Sequence, residues 1–163
     1  VKEAHLRFRF HIVGQQFRHI PEAFEAIDRH LNEICANYDM PRRNFGYIED
    51  ADQYQTLLAS CHVALSTAKH DFQGLSVQQA CLAGCQVAVP DALVFPEYVP
   101  PQLRYQTCKD CRQTAAAAVS LLRHIRRKLE DGVWSKIDLS AYLGPGLLNR
   151  YRGLFLSLIN NPP

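Results

Sequence analysis

A chain of 163 residues is long enough for one domain with a real core. Its 47% hydrophobic and 21% charged residues are ordinary for a globular protein. The 18 Lys and Arg against 16 Asp and Glu leave a formal net charge of +2, which excludes the strong basic excess of a domain held mainly through phosphates.

No apolar run approaches the roughly 18 to 20 residues that span a bilayer, so a cytoplasmic protein without a membrane span is expected. The opening VKEAHLRFRF has no apolar h-region and no initiator Met, and reads as a domain excised from a longer protein. Six cysteines, Cys35, Cys61, Cys81, Cys85, Cys108 and Cys111, fall in a mid-sized chain with a large apolar fraction, whereas a disulfide framework is expected of short secreted chains. Cys61, Cys81 and Cys85 sit among apolar residues and read as small buried hydrophobes. Cys108 and Cys111 form a lone CxxC without a second ligand pair, so two free thiols in a loop is a simpler reading than zinc.

In chain order, VKEAHL reads as the end of a helix and residues 7–13 as a strand stopping at Gly14. Pro21 opens a helix whose apolar positions Phe24, Ile27, Leu31, Ile34 and Cys35 recur at helical spacing. Pro41, Arg42 and Arg43 form a loop, and residues 44–48 a short strand broken by Gly46. Asp50 or Asp52 caps the next helix, with Tyr54, Leu57 and Leu58 facing in. Residues 62–66 read as a strand buried on both faces. A helix from Ser76 to Ala83, stopped by Gly84, leads into a buried strand at 86–90. A short edge strand follows at 103–107, then a helix from Thr114 to Glu130 and a last helix after Gly144-Pro145-Gly146. That last helix carries Leu147, Tyr151, Leu154 and Phe155 on one side. Arg123, Arg126, Arg127 and Lys128 suit the negative end of the long helix's dipole, which accounts for them without a nucleic acid.

Strands alternating with helices predict an α/β fold, Rossmann-like, with a parallel sheet and helices on both faces. Residues 1–163 are expected to form a single domain. In such sheets ligands bind beyond the carboxyl ends of the strands, which singles out the loops starting at Gly14, Gly46, Ser66 and Pro90. The loop after Ser66 runs into a helix whose first amides can hold an anion such as a diphosphate. Asp71 on its rim can accept hydrogen bonds from ligand hydroxyls, Lys69 and His70 can neutralise phosphate, and Gln79 lies one turn into the helix. The simpler alternative for Lys69, His70 and Gln79 is solvated surface.

Asp71-Phe72-Gln73-Gly74-Leu75-Ser76-Val77-Gln78-Gln79-Ala80, followed by Gly84, resembles the acid-x7-Glu motif of retaining GT-B glycosyltransferases of the family-4 type, written roughly E-x-F-G-x-x-x-x-E-A-x-x-x-G. The stretches STAKHDFQG, GCQVAVPDALVFPE and FHIVGQQF resemble the branch of tRNA-queuosine α-mannosyltransferases. The resemblance covers about residues 8 to 100 and implies the C-terminal, donor-binding half of a GT-B fold, the acceptor-binding half lying N-terminal to it. It implies transfer of mannose from GDP-mannose to queuosine in tRNA, with no metal or other cofactor. It makes Asp71 and His70 the catalytic candidates, Asp71 holding the donor sugar. The amides of Phe72, Gln73, Gly74 and Leu75, running into Ser76, would hold the diphosphate beside Lys69, with Gly14 and Gln15 next to it. Gln79 would bind the ribose, and Gly46, Tyr47 and Ile48 the base. Two departures stand out: Asp71 is one methylene shorter than the family glutamate, and Gln79 is an amide where the family has an acid. A degenerate, non-catalytic domain serving as an interaction or RNA-binding module is the alternative. A flavodoxin-like or receiver domain fits less well, for want of clustered aspartates at the strand ends.

Overall fold

The computed structural model describes residues 8–14, 22–37 and 44–160. The expected N-terminal helix, the loop at Pro41, Arg42 and Arg43, and Gln15 lie outside them. The chain divides into two compact units, Val1–Tyr54 and Gln55–Pro163.

In the first unit, β1 (Ile12–Val13) pairs in parallel with β2 (Phe45–Gly46), with Ile12 opposite Phe45 and Val13 opposite Gly46. The Ile12 amide donates to the Asn44 carbonyl at 3.0 Å, and the Gly14 amide to the Gly46 carbonyl at 3.2 Å. Helix α1 spans Glu22–Asn37. Asp50 caps α2 (Ala51–Ser60): its Oδ1 accepts from the Gln53 amide at 2.8 Å.

The second unit is built on a parallel sheet ordered β3 (Val63–Leu65), β4 (Gln86–Pro90), β5 (Arg104–Tyr105). All five residues of the central strand β4 are buried, so both of its faces are covered. Helices α3 (Leu75–Leu82) and α4 (Cys111–Glu130) both pack against it. The fold is α/β, with parallel sheets flanked by helices, and Rossmann-like. The core joins Val87, Val89, Phe95, Val99, Leu103 and Ile125. Burying each such side chain contributes about 1.5–3 kcal/mol. Gln86, a polar residue in that core, is satisfied by Ser135: its Nε2 donates to the Ser135 carbonyl at 3.0 Å and its Oε1 accepts the Ser135 amide at 3.1 Å.

Several expectations shift. The strand at 62–66 shortens to three half-buried residues, because β3 is an edge of its sheet with β4 on one side only. Helix α4 begins at Cys111 rather than Thr114, because Asp110 Oδ1 accepts the Arg112 amide at 2.8 Å and nucleates the turn earlier. The final helix, α5 (Gly144–Asn160), packs against the 3-10 turn Ser140–Tyr142, but its apolar stripe faces solvent: Leu148, Tyr151, Leu154, Phe155 and Ile159 are all exposed.

Of the thiols, Cys85 is buried, Cys61 and Cys81 are half-buried, and Cys108 and Cys111 are free and exposed. Cys85 Sγ lies 3.2 Å from the Leu58 carbonyl and 3.3 Å from that of Cys61. Burial, with Cys85 nearby, pushes the Cys81 thiol up to about 11. The folded state therefore holds this proton more tightly than the unfolded chain. The resulting stability is fully present below about pH 9 and is lost as pH rises towards 11. Urea midpoints should fall over that window in the wild type and fall less in Cys81→Ala. At neutral pH maleimide should label Cys108 and Cys111 well before Cys81.

Candidate functional site

The carboxyl edge of the β3–β4–β5 sheet carries the loop that the sequence singles out. Ser66 closes β3, its amide donating to the Ala88 carbonyl at 3.0 Å. The Tyr105 hydroxyl donates to the Ser66 carbonyl at 2.7 Å, fixing where the loop leaves the sheet. On the same edge Asp91 follows β4. Its carboxylate takes Arg104 Nη1 at 3.0 Å and Gln106 Nε2 at 2.6 Å, so both of its oxygens are engaged.

The loop turns on Asp71. Its Oδ1 accepts the Gly74 amide at 2.6 Å and the Gln73 amide at 3.2 Å. The Gly74 amide is therefore not free, contrary to the sequence expectation: the short Asp71 carboxylate closes an Asx-type turn just before the helix. Leu75, Ser76 and Val77 head α3 and are the first-turn positions whose amides have no intrahelical acceptor.

Gly74 has φ 66°, the left-handed conformation that glycine adopts without strain. Its carbonyl accepts the Gln78 amide at 2.9 Å and the Tyr98 hydroxyl at 3.4 Å. The buried Gln78 donates Nε2 to the Gln73 carbonyl at 2.7 Å. Burial pushes the Tyr98 hydroxyl well above its ordinary range, with Cys81, Asp71 and Tyr142 adding to it, so it stays a donor at neutral pH.

Lys69, His70, Phe72, Gln73, Leu75, Ser76 and Gln79 are exposed, and Asp71 is half-buried beneath them. Gln79 and Leu75 are four apart on α3, so they share its outer face. The loop thus gathers Lys69 to Gln79 into one feature. Gly14, Gly46, Tyr47 and Ile48 belong to the first unit and are described by themselves. Gly14 is exposed at the end of β1, and Gly46 has φ 99° in β2. Tyr47 and Ile48 line an open depression of about 620 Å3 with Asn44, Glu49, Asp50 and Gln53. Phe45 completes that lining, which offers carboxylates, amides and two aromatic rings.

Gln78, Tyr98 and Tyr105 went unnoticed in the sequence. All three act through single side-chain contacts to a backbone carbonyl, which leave no periodic signal. Glu97 meets Tyr142, whose hydroxyl lies 3.4 Å from its carbonyl and 3.5 Å from Oε2. No group of three or more His, Cys, Asp or Glu placed to hold a metal occurs among the described residues. No helix among them is long and apolar enough to cross a membrane.

In this Rossmann-like domain the polar loop feeds α3 at the carboxyl edge of the sheet, where ligands of such sheets bind. The chain matches no family model. It is 28% identical over 153 residues to the tRNA-queuosine alpha-mannosyltransferase of Drosophila melanogaster. The aligned region takes in 94% of this chain and 38% of that protein, so the chain spans about two fifths of its relative's length. The similarity supports a distant, glycosyltransferase-like relationship.

Proposed function

We propose that this chain is the donor-binding half of a retaining GT-B glycosyltransferase of the family-4 type, and that the whole protein transfers mannose from GDP-mannose to queuosine in tRNA. The observation that carries the reading is the similarity over 94% of the chain to a tRNA-queuosine alpha-mannosyltransferase. The loop at the carboxyl edge of the sheet supports it.

In this reading Asp71 holds the donor sugar through the oxygen not engaged by the Gln73 and Gly74 amides. The first-turn amides at Leu75 and Ser76, with Lys69 and His70, take up charge on the departing diphosphate. Gln79 bonds the ribose. Catalysis is then positioning plus leaving-group stabilisation, supplied by dipoles fixed before the donor arrives. It needs no metal, and the N-terminal half of the same protein supplies the acceptor site. A cytoplasmic location follows from a tRNA acceptor.

Calorimetric titration of the full-length protein with GDP and GDP-mannose tests the donor half. Binding in the micromolar to millimolar range is expected, and no heat at millimolar ligand would refute it. Gln79, an amide at the position of the family's second acid, favours a second reading, a non-catalytic module. Donor binding without any turnover on tRNA would select it.

A further inference from the structure

We infer that the Phe72 ring is a stacking platform for an unpaired nucleobase of the RNA acceptor. The inference rests on the proposed transfer to tRNA and adds to it a residue that reads the acceptor rather than the donor.

Phe72 is 94% exposed, the highest value among the large apolar side chains described. Its setting is not a slack loop tip. Asp71 Oδ1 holds the Gln73 and Gly74 amides on one flank, Gln78 Nε2 holds the Gln73 carbonyl, and the Tyr98 hydroxyl holds that of Gly74. The backbone just after the ring is thus held by three side chains, those of Asp71, Gln78 and Tyr98, while the ring itself stands in solvent. The ordering cost of a platform is largely met before any ligand binds.

The neighbours define what fits. Lys69 and His70 are exposed just before the ring, and Gln73 just after it. The adjacent carboxylate, Asp71, has Oδ1 turned onto the Gln73 and Gly74 amides. The outward face therefore combines an aromatic ring, an amide able both to donate and to accept, and groups able to carry positive charge. An unstacked base flanked by phosphates needs these three: a π face to lie on, a partner for its edge and cations for its backbone. Leu75, 59% exposed three residues on, widens the apolar surface. An acidic or purely apolar peptide would use only part of this set.

The test measures the affinity of the full-length protein for a fluorescein-labelled single-stranded RNA decamer and, separately, for GDP-mannose. Phe72→Leu should raise the RNA Kd about tenfold, the order expected when one base loses its stacking partner, and Phe72→Trp should preserve it. The loss for RNA in Phe72→Leu should exceed any change in its GDP-mannose Kd by about fivefold or more. Equal RNA affinity in Phe72→Leu and wild type would overturn the inference. So would parallel losses for RNA and donor, which would make Phe72 a support of the donor loop. Wild-type protein that binds GDP-mannose but no RNA would overturn it and leave the donor reading standing. A Phe72-dependent RNA affinity without GDP-mannose binding would uphold it and remove the donor reading.

Discussion

Asp71→Ala in the full-length protein is expected to lower sugar transfer at least a hundredfold. Two effects combine. Loss of the carboxylate frees the Gly74 and Gln73 amides from the cap that shapes the loop, which costs about 1 kcal/mol. On the proposed reading, loss of the contact to the donor sugar would remove about 2.7–4 kcal/mol of transition-state stabilisation, as for other preorganised polar contacts. Asp71→Asn separates them. The amide oxygen can still accept both backbone amides, so the variant should unfold at the wild-type urea concentration while turnover stays low. Full turnover in Asp71→Asn would reduce Asp71 to a brace for the loop, and full turnover in Asp71→Ala would remove it from the site.

Gly74→Ala should destabilise the protein by about 2–5 kcal/mol, seen as a lower urea midpoint at unchanged slope. At φ 66° any other L-residue is strained, by roughly 1–2 kcal/mol. An added Cβ would also fall against the Tyr98 hydroxyl and lie 3.1 Å from Phe95 Cε1, and overpacking of that kind typically costs about 1–3 kcal/mol. Phe95 is fully buried, so it has little room to yield. Tyr98→Phe in the Gly74→Ala background removes the clashing oxygen and should recover the packing share but not the backbone share. A double-mutant cycle reads that coupling directly. A Gly74→Ala protein as stable as the wild type would show that the loop can shift away from Tyr98 at no cost.

The sheet and its helices were legible because their signals are local and repeated. The apolar run of β4, the spacing in α1 and the long alanine-rich α4 each carry many residues that agree. The Asp71-to-Gln79 loop was legible because its glycine and its acid are fixed in spacing. What stayed hidden depends on residues far apart in sequence. Nothing at Tyr98 announces a contact with Gly74, 24 residues earlier, and nothing at Tyr105 announces one with Ser66, 39 residues earlier. Gln78 and Gln79 look alike on paper, yet one is buried and bonded and the other is exposed. Only the helix phase set by the Gly74 turn decides which. The apolar stripe of α5 is visible in its spacing, but periodicity does not say whether anything covers it.

The Gly74 carbonyl serves two donors, the Gln78 amide and the Tyr98 hydroxyl, while the Gly74 amide serves Asp71. Opening the turn therefore means releasing loop, helix start and the Phe95–Glu97 turn together. In deuterium exchange the Gly74 and Gln78 amides should share one slow rate, close to that of β4 and far slower than the open surface around them. On that footing the loop would meet its ligand already set, and the protection pattern should change little when ligand is added.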